Sequence, residues 1–147
     1  MLPKVFVSFD YTDDKHYKFL LQAWNEHPRF QFVFEDVSSE EIDSNNVGRV
    51  KAALTQKIKD ATHVLVIVGK NANTSHRNRN LIGYKNWINF EVNKALELEK
   101  RIAAIKLDRT NESPDELLGI NVSWAYSFTE DNIIKALTYA NPAKRGY

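Results

Sequence analysis

The residue best placed for chemistry is Glu91, a carboxylate on the apolar face of a helix predicted over residues 87–100. With Trp87 at zero and about 100° per residue, Glu91 falls at about 40°. Its neighbours on that arc are apolar, Leu98 at about 20° and Ala95 at about 80°. A carboxylate on a core-facing stripe is costly unless it is paired, protonated or lining a cavity. Glu91 is therefore the first catalytic candidate, and a carboxylate that merely reaches solvent or pairs with a lysine is the alternative.

Two electrostatic features accompany Glu91. It lies in the first two turns of its helix, where the helix dipole favours the ionised form. The polar loop before the helix, residues 70–86, carries four cations and no acid; they are Lys70, Arg77, Arg79 and Lys85. Cations bind phosphate oxygens, and a carboxylate stabilises developing positive charge. The combination suits a substrate with phosphates at one end and an electrophilic carbon at the other, although a loop that is basic only for solubility is also consistent.

An acidic stretch over residues 35–43 has five acids in nine residues. Its negative charge would repel phosphate groups, so this segment is a poor candidate for a phosphate-binding loop. It could instead meet the basic loop of a neighbouring subunit in a head-to-tail contact.

Five apolar segments that alternate with helical patterns must position these groups. β-Branched and aromatic runs predict strands at 5–9, 30–34, 64–68, 102–107 and, more weakly, 122–125. Helices are predicted after a cap at Asp13, after a cap at Ser44 or Asn45, over 87–100, and from Thr129 to about Ala140. This order indicates a single α/β domain over 1–147, with a mostly parallel five-stranded sheet and helices on both faces. Ligands of such sheets bind outside the carboxyl ends of the strands, which are followed here by residues 9–13, 35–45 and 69–91.

Composition excludes several classes of protein. The 147 residues include no cysteine, so thiolate nucleophiles, disulfides and thiolate metal sites are ruled out. A net charge of +1 gives no sign of nucleic-acid binding, and no apolar run is long enough to cross a membrane. Glycine-rich phosphate loops are missing, and the four histidines lack metal-ligand spacing. We therefore expect a cytoplasmic domain with no metal, no cofactor, no nucleic-acid partner and no membrane contact.

Two motifs resemble those of TIR domains. Residues 5–13, V-F-V-S-F-D-Y-T-D, resemble the first TIR box, in which a strand ends in an aromatic-rich turn with an acid that opens a helix. Residues 87–91, W-I-N-F-E, resemble the W-x-x-x-E signature. The short chain, its K-V-F-V-S-F start and its W-I-N-F-E-V-N-K-A-L helix are most similar to the stand-alone TIR-like proteins of the bacterial Thoeris anti-phage system. The resemblance covers residues 4–107 and implies a flavodoxin-like fold.

The resemblance implies an enzyme that consumes NAD. Catalytic TIR domains cleave the bond between nicotinamide and ribose and release ADP-ribose or a cyclic ADP-ribose isomer. In Thoeris-like members the cyclic product is a second messenger that reaches a downstream effector. The essential glutamate of the family matches Glu91, and NAD would be the substrate, with no further cofactor.

The resemblance also assigns roles around Glu91. Phe9, Tyr11 and Trp87 would form aromatic walls for a flat cationic ring, although Trp87 could instead anchor its helix on the sheet. Asp10 and Asp36 would hydrogen-bond ribose or amide groups.

Residues 35–46 occupy the place of the family's BB loop, through which TIR domains self-associate and complete the active site. Two other functions stay open. One is a TIR-like scaffold without turnover. The other is a receiver or different nucleotide-binding domain, against which the absence of a lysine near residues 122–125 argues.

Overall fold

The computed structural model describes residues 2–34 and 46–146, and within them it contains five strands and five α-helices. The strands are β1 (Lys4–Ser8), β2 (Val33–Phe34), β3 (His63–Val68), β4 (Arg101–Lys106) and β5 (Ser123–Ala125). The helices are α1 (Tyr11–Trp24), α2 (Val47–Asp60), α3 (Arg79–Ile82), α4 (Trp87–Glu97) and α5 (Glu130–Tyr139), and a 3₁₀ turn spans Asp115–Leu117.

The strands form one sheet in the order β2-β1-β3-β4-β5, and every neighbouring pair is parallel. One apolar core lies between the sheet and α2 with α4, and the other lies between the sheet and α1 with α5. The apolar residues of β3, 64–68, have no exposed surface, because both faces of this central strand are covered. The predicted fold, a parallel five-stranded sheet with helices on both faces, is confirmed.

The second strand is much shorter than the predicted 30–34. The chain that leaves α1 is still in a turn at Phe30, whose backbone N–H donates to the His27 carbonyl at 3.0 Å. The Phe30 ring stacks on Trp24, with the ring centroids 5.1 Å apart. Phe30 is therefore apolar because it fills the core and not because it belongs to the sheet.

Two of the predicted helix caps were wrong. Asp10, and not Asp13, caps α1 by accepting the backbone N–H of Thr12, since the chain turns into the helix directly after β1. The cap of α2 is Asn46, which accepts the N–H of Arg49 at 3.1 Å; Ser44 and Asn45 lie outside the described residues. Thr129 caps α5 as predicted.

Helix α4 ends at Glu97, and Glu99 follows in the left-handed region at a φ of 54°. The predicted end at residue 100 was therefore too late. Among the described residues, no helix combines the length and the apolar character that a membrane span needs.

Candidate functional site

A cavity of about 370 Å³ opens at the carboxyl ends of β1 and β3. Two of the three segments expected there, 9–13 and 69–91, supply its walls; the third, 35–45, including Asp36, lies outside the described residues. The lining residues are Phe9, Asp10, Tyr11, Thr12, Asp13, Asn71, Thr74, Ser75, His76, Asn86, Trp87 and Ile88. Four of the five residues predicted to contact substrate, Phe9, Asp10, Tyr11 and Trp87, thus surround one cavity.

Three aromatic rings form part of the cavity wall. The Phe9 and Tyr11 rings lie 6.3 Å apart at 41° and flank the start of α1. Trp87 packs edge-on against Phe90 at 5.6 Å and is half-buried. It both lines the cavity and packs against the core, so its two predicted roles are compatible.

The α1 side of the cavity is acidic. Asp10 and Asp13 line it, and Asp13 accepts a hydrogen bond from the amide of Asn71. Behind them Asp14 is 5% exposed, and its Oδ2 has no hydrogen-bond partner among the described residues. Burial and the charges of Asp10 and Asp13 raise the pKa of Asp14 to about 6. Three acids therefore lie close together on this side of the cavity, two of them in its wall, and carboxylates attract a cationic ligand group.

Gly69 makes the position of Asp14 possible. It follows β3, and a methyl group in place of its hydrogen would overlap the Asp14 carboxylate. The absence of a side chain at Gly69 therefore leaves room for the buried carboxylate of Asp14.

The four cations predicted to hold phosphates are not among the lining residues of the described cavity. Lys70, Arg77 and Arg79 are exposed, and Lys85 lies 3.6 Å from the carboxylate of Asp115. The basic loop is therefore available at the surface beside the cavity.

Sequence reasoning missed His76 as a wall residue. Its Nδ1 accepts the backbone N–H of Asn78 at 2.9 Å, so the neutral ring carries its proton on Nε2. The ring thus retains one N–H donor that can bind an acceptor oxygen. A single histidine in a polar loop, without a partner at helical or metal-ligand spacing, gives no sequence signal for this position.

Glu91 faces the core, as predicted, and is only 3% exposed. Its Oε1 accepts a hydrogen bond of 2.6 Å from the hydroxyl of Ser8. Burial raises the pKa of Glu91 to about 8, and the Ser8 hydrogen bond lowers it only partly. The helix dipole favours the ionised form, as expected, but desolvation outweighs it and leaves the pKa above its ordinary value.

Glu91 is not among the residues that line the described cavity. It follows Trp87 by four residues on α4, one helical turn behind the wall. Long helical side chains lean back toward the helix N-terminus, which directs the carboxyl toward the turn of Trp87 and Ile88. Glu91 thus lies on the helix whose first residues form part of the wall, and it contacts Ser8, the residue before the wall residue Phe9.

Three buried asparagines hold the cavity wall and the start of α4 together. Asn86 caps α4 by accepting the N–H of Asn89 at 2.9 Å and donates to the carbonyls of Ala72 and Thr74. Asn89 donates to the side chains of Asn86 and Asn73, both at 3.0 Å, and accepts the N–H of Glu116. This asparagine cluster, Asn73, Asn86 and Asn89, connects the loop after β3 to the 3₁₀ turn.

We expect Asn89→Ala to lower the free energy of unfolding by about 3 kcal/mol, because it leaves several buried polar groups without partners. Asn93→Ala on the same helix removes one partly exposed bond, to the hydroxyl of Tyr84, and should cost about 1 kcal/mol. Urea denaturation of both variants measures the difference. Equal losses would show that the cluster adds nothing beyond an ordinary hydrogen bond.

Comparisons with known proteins decide the family. The family model described as "Thoeris protein ThsB, TIR-like domain" matches residues 6–112. The chain belongs to this family. The match includes every lining residue of the described cavity, together with Ser8 and Glu91. It ends before β5 and α5.

Among solved structures, this TIR-like domain is similar to the TIR domains in the "activated Roq1 resistosome directly recognizing the pathogen effector XopQ". The identity is 16% and the TM-score 0.43, over 72% of this chain. The match spans 59% of that chain. A search of curated proteins gives no match.

Proposed function

We propose that this TIR-like domain cleaves the bond between nicotinamide and ribose in NAD. The observation that carries the proposal is the buried carboxyl of Glu91, which lies one helical turn after the wall residue Trp87 and contacts Ser8, the neighbour of the wall residue Phe9. A flat cationic ring fits such walls, because aromatic faces and carboxylates both attract positive charge. Phe9, Asp10, Tyr11 and Trp87 would contact the substrate, and Asp36 would add a contact from outside the described residues.

The proposed reaction needs one carboxylate. The bond between the ribose C1′ and the nicotinamide nitrogen breaks, its electron pair goes to the nitrogen, and neutral nicotinamide leaves. The ribose becomes an oxocarbenium ion, which Glu91 stabilises through its negative charge. Water then gives ADP-ribose and a proton, whereas attack by a nitrogen of the adenine in the same molecule, followed by proton loss, gives a cyclic isomer.

The ionisation of Glu91 fits this role when substrate is bound. With a pKa of about 8, roughly a tenth of the carboxyl groups are ionised at pH 7. A pyridinium cation in the cavity favours the ionised form, so binding and activation of the carboxylate are linked.

The membership in the Thoeris family supports a cyclic ADP-ribose-type messenger as the product. In this proposal the messenger acts in bacterial anti-phage defence and reaches a separate effector in the cytoplasm. NAD is the substrate, and no further cofactor, nucleic acid or membrane takes part. Self-association through residues 35–46 would complete the site.

One observation favours a second function, a non-catalytic scaffold. Glu91 is buried and lies behind the cavity wall instead of in it. If the carboxyl stays closed off in every state of the protein, the domain binds partners without turning over NAD.

The test is nicotinamide release from NAD by concentrated protein, followed by mass spectrometry. Thr74→Trp fills the cavity from an exposed position in its wall, and Thr138→Trp on α5 is the matched control away from it. We expect release by wild type and Thr138→Trp, and at least about a tenfold loss in Thr74→Trp, since a misplaced substrate loses reactivity steeply.

The mass of the second product distinguishes ADP-ribose from its dehydrated cyclic isomer. Equal release by the two tryptophan variants would rule out this cavity as the substrate site. No release by wild type, in buffer and in lysate from phage-infected cells, would support the scaffold.

A further inference from the structure

We propose that Ser8 is a positioning residue for Glu91, which it holds in place through its hydroxyl from the neighbouring strand β1. This inference rests on the proposed function, because it assigns a task to a residue that does not line the cavity. Glu91 and Ser8 are 83 positions apart in sequence, and only the fold brings them together.

The placement of Ser8 is rigid. It is the last residue of β1, it has no exposed surface, and its Cα is in register with that of Val66 on the central strand β3. The next residue, Phe9, lines the cavity. Ser8 thus connects the rigid end of the sheet to the carboxyl of Glu91.

The hydrogen bond of 2.6 Å is at the short end of the range for O–H···O contacts. A hydroxyl that donates to a carboxyl oxygen fixes its orientation and favours its charged form. Without the Ser8 hydroxyl, the carboxyl of Glu91 would still be buried, but it would lose the hydrogen bond that lowers its pKa. The hydrogen bond that fixes its orientation would also be lost.

Charged side chains do not replace Ser8 in this task. Burial and the Ser8 hydrogen bond are the two causes of the shifted pKa of Glu91 among the described residues, without a contribution from a charge. On α4, Lys94 pairs with Glu97 at 2.9 Å. On α2, Lys51 lies over the ring of Phe90, and on α1 the buried Asp14 packs against Gly69.

The test is the pH profile of nicotinamide release for wild type, Ser8→Ala and Ser8→Thr. Ser8→Ala removes one oxygen from a buried site, and Ser8→Thr keeps the hydroxyl. We expect kcat/KM of Ser8→Ala at pH 7 to fall about tenfold, and its profile against pH to move about one unit upward. Ser8→Thr should restore much of the rate. Ser123→Ala on β5 is the control and should match wild type.

A second measurement is independent of turnover. The side-chain carboxyl carbon of Glu91, labelled with ¹³C and assigned with Glu91→Gln, reports its titration by NMR. We expect the midpoint to lie higher in Ser8→Ala than in wild type.

An identical midpoint in the two proteins would overturn the inference even if NAD is cleaved. A raised midpoint in a protein that releases no nicotinamide would instead refute the proposed function and leave the contact between Ser8 and Glu91 established. A tenfold loss in Ser8→Ala that appears in KM alone, without a shift of the profile, would also contradict the positioning role.

Discussion

Glu91→Gln is expected to lose nicotinamide release by at least about 10²- to 10³-fold, because glutamine has the shape of the carboxylate but cannot carry its charge. The Ser8 hydroxyl can still donate to the amide oxygen, so the side chain keeps its orientation. The change therefore removes the electrostatic contribution of the site and leaves its packing. Initial rates of nicotinamide formation, followed by chromatography at saturating NAD, measure the loss.

Glu97→Gln is the matched control for this loss. Glu97 lies on the same helix, its side chain is 53% exposed, and it pairs with Lys94 at the surface. Its substitution should leave the rate unchanged. Residual activity of Glu91→Gln within about tenfold of wild type would mean that another group stabilises the oxocarbenium ion.

The second large effect concerns stability against pH. The folded protein holds the proton of Glu91 up to a pH of about 8, whereas the unfolded chain releases it near the ordinary pKa of 4.5. Between these values folding takes up a proton, so the free energy of unfolding falls as the pH rises. From pH 5 to pH 9 this contribution amounts to about 4 kcal/mol at most, if the carboxyl stays buried throughout.

Glu91→Gln removes this titration. We expect its free energy of unfolding to exceed that of wild type by a margin that grows from pH 5 to pH 9, measured by urea denaturation at matched ionic strength. The difference between the two proteins is the proper quantity, because other groups titrate as well. The pKa of Asp14 is raised by burial and that of His63 is lowered by burial, and both effects cancel in the comparison.

A constant difference across this range would show that the carboxyl of Glu91 is ionised in the folded protein, or that it reaches solvent. Either result would contradict the burial described here.

Features set by local pattern could be predicted from the sequence. The helical period placed Glu91 on the core face of α4, and the rule that ligands bind at the carboxyl ends of parallel strands brought Phe9, Asp10, Tyr11 and Trp87 to one cavity. The uninterrupted apolar run of β3 predicted a strand covered on both faces.

Features that depend on tertiary contacts could not be predicted. Nothing in the sequence distinguishes Ser8 from other small residues of a strand, because its contact with Glu91 forms only in the folded protein. The pKa of Glu91 depends on the balance between the helix dipole and desolvation, and desolvation depends on how deeply the side chain is buried. The helical repeat of apolar residues shows which face is buried but not how deeply. The sequence places Asn73 in a polar loop, but in the structure it is 4% exposed and hydrogen-bonds to Asn89 and to the backbone of Asp115.

The asparagine cluster constrains which sequences can encode this site. Each of its three side chains satisfies polar groups of the others or of nearby backbone, so a single replacement leaves donors or acceptors unpaired. Several positions would have to change together, with apolar residues of matching volume, before the arrangement could be exchanged for another. Arg77 and Arg79 are exposed, so their substitution leaves no buried polar group without a partner. Single mutations can therefore change the surface beside the cavity, whereas the asparagine cluster stays the same.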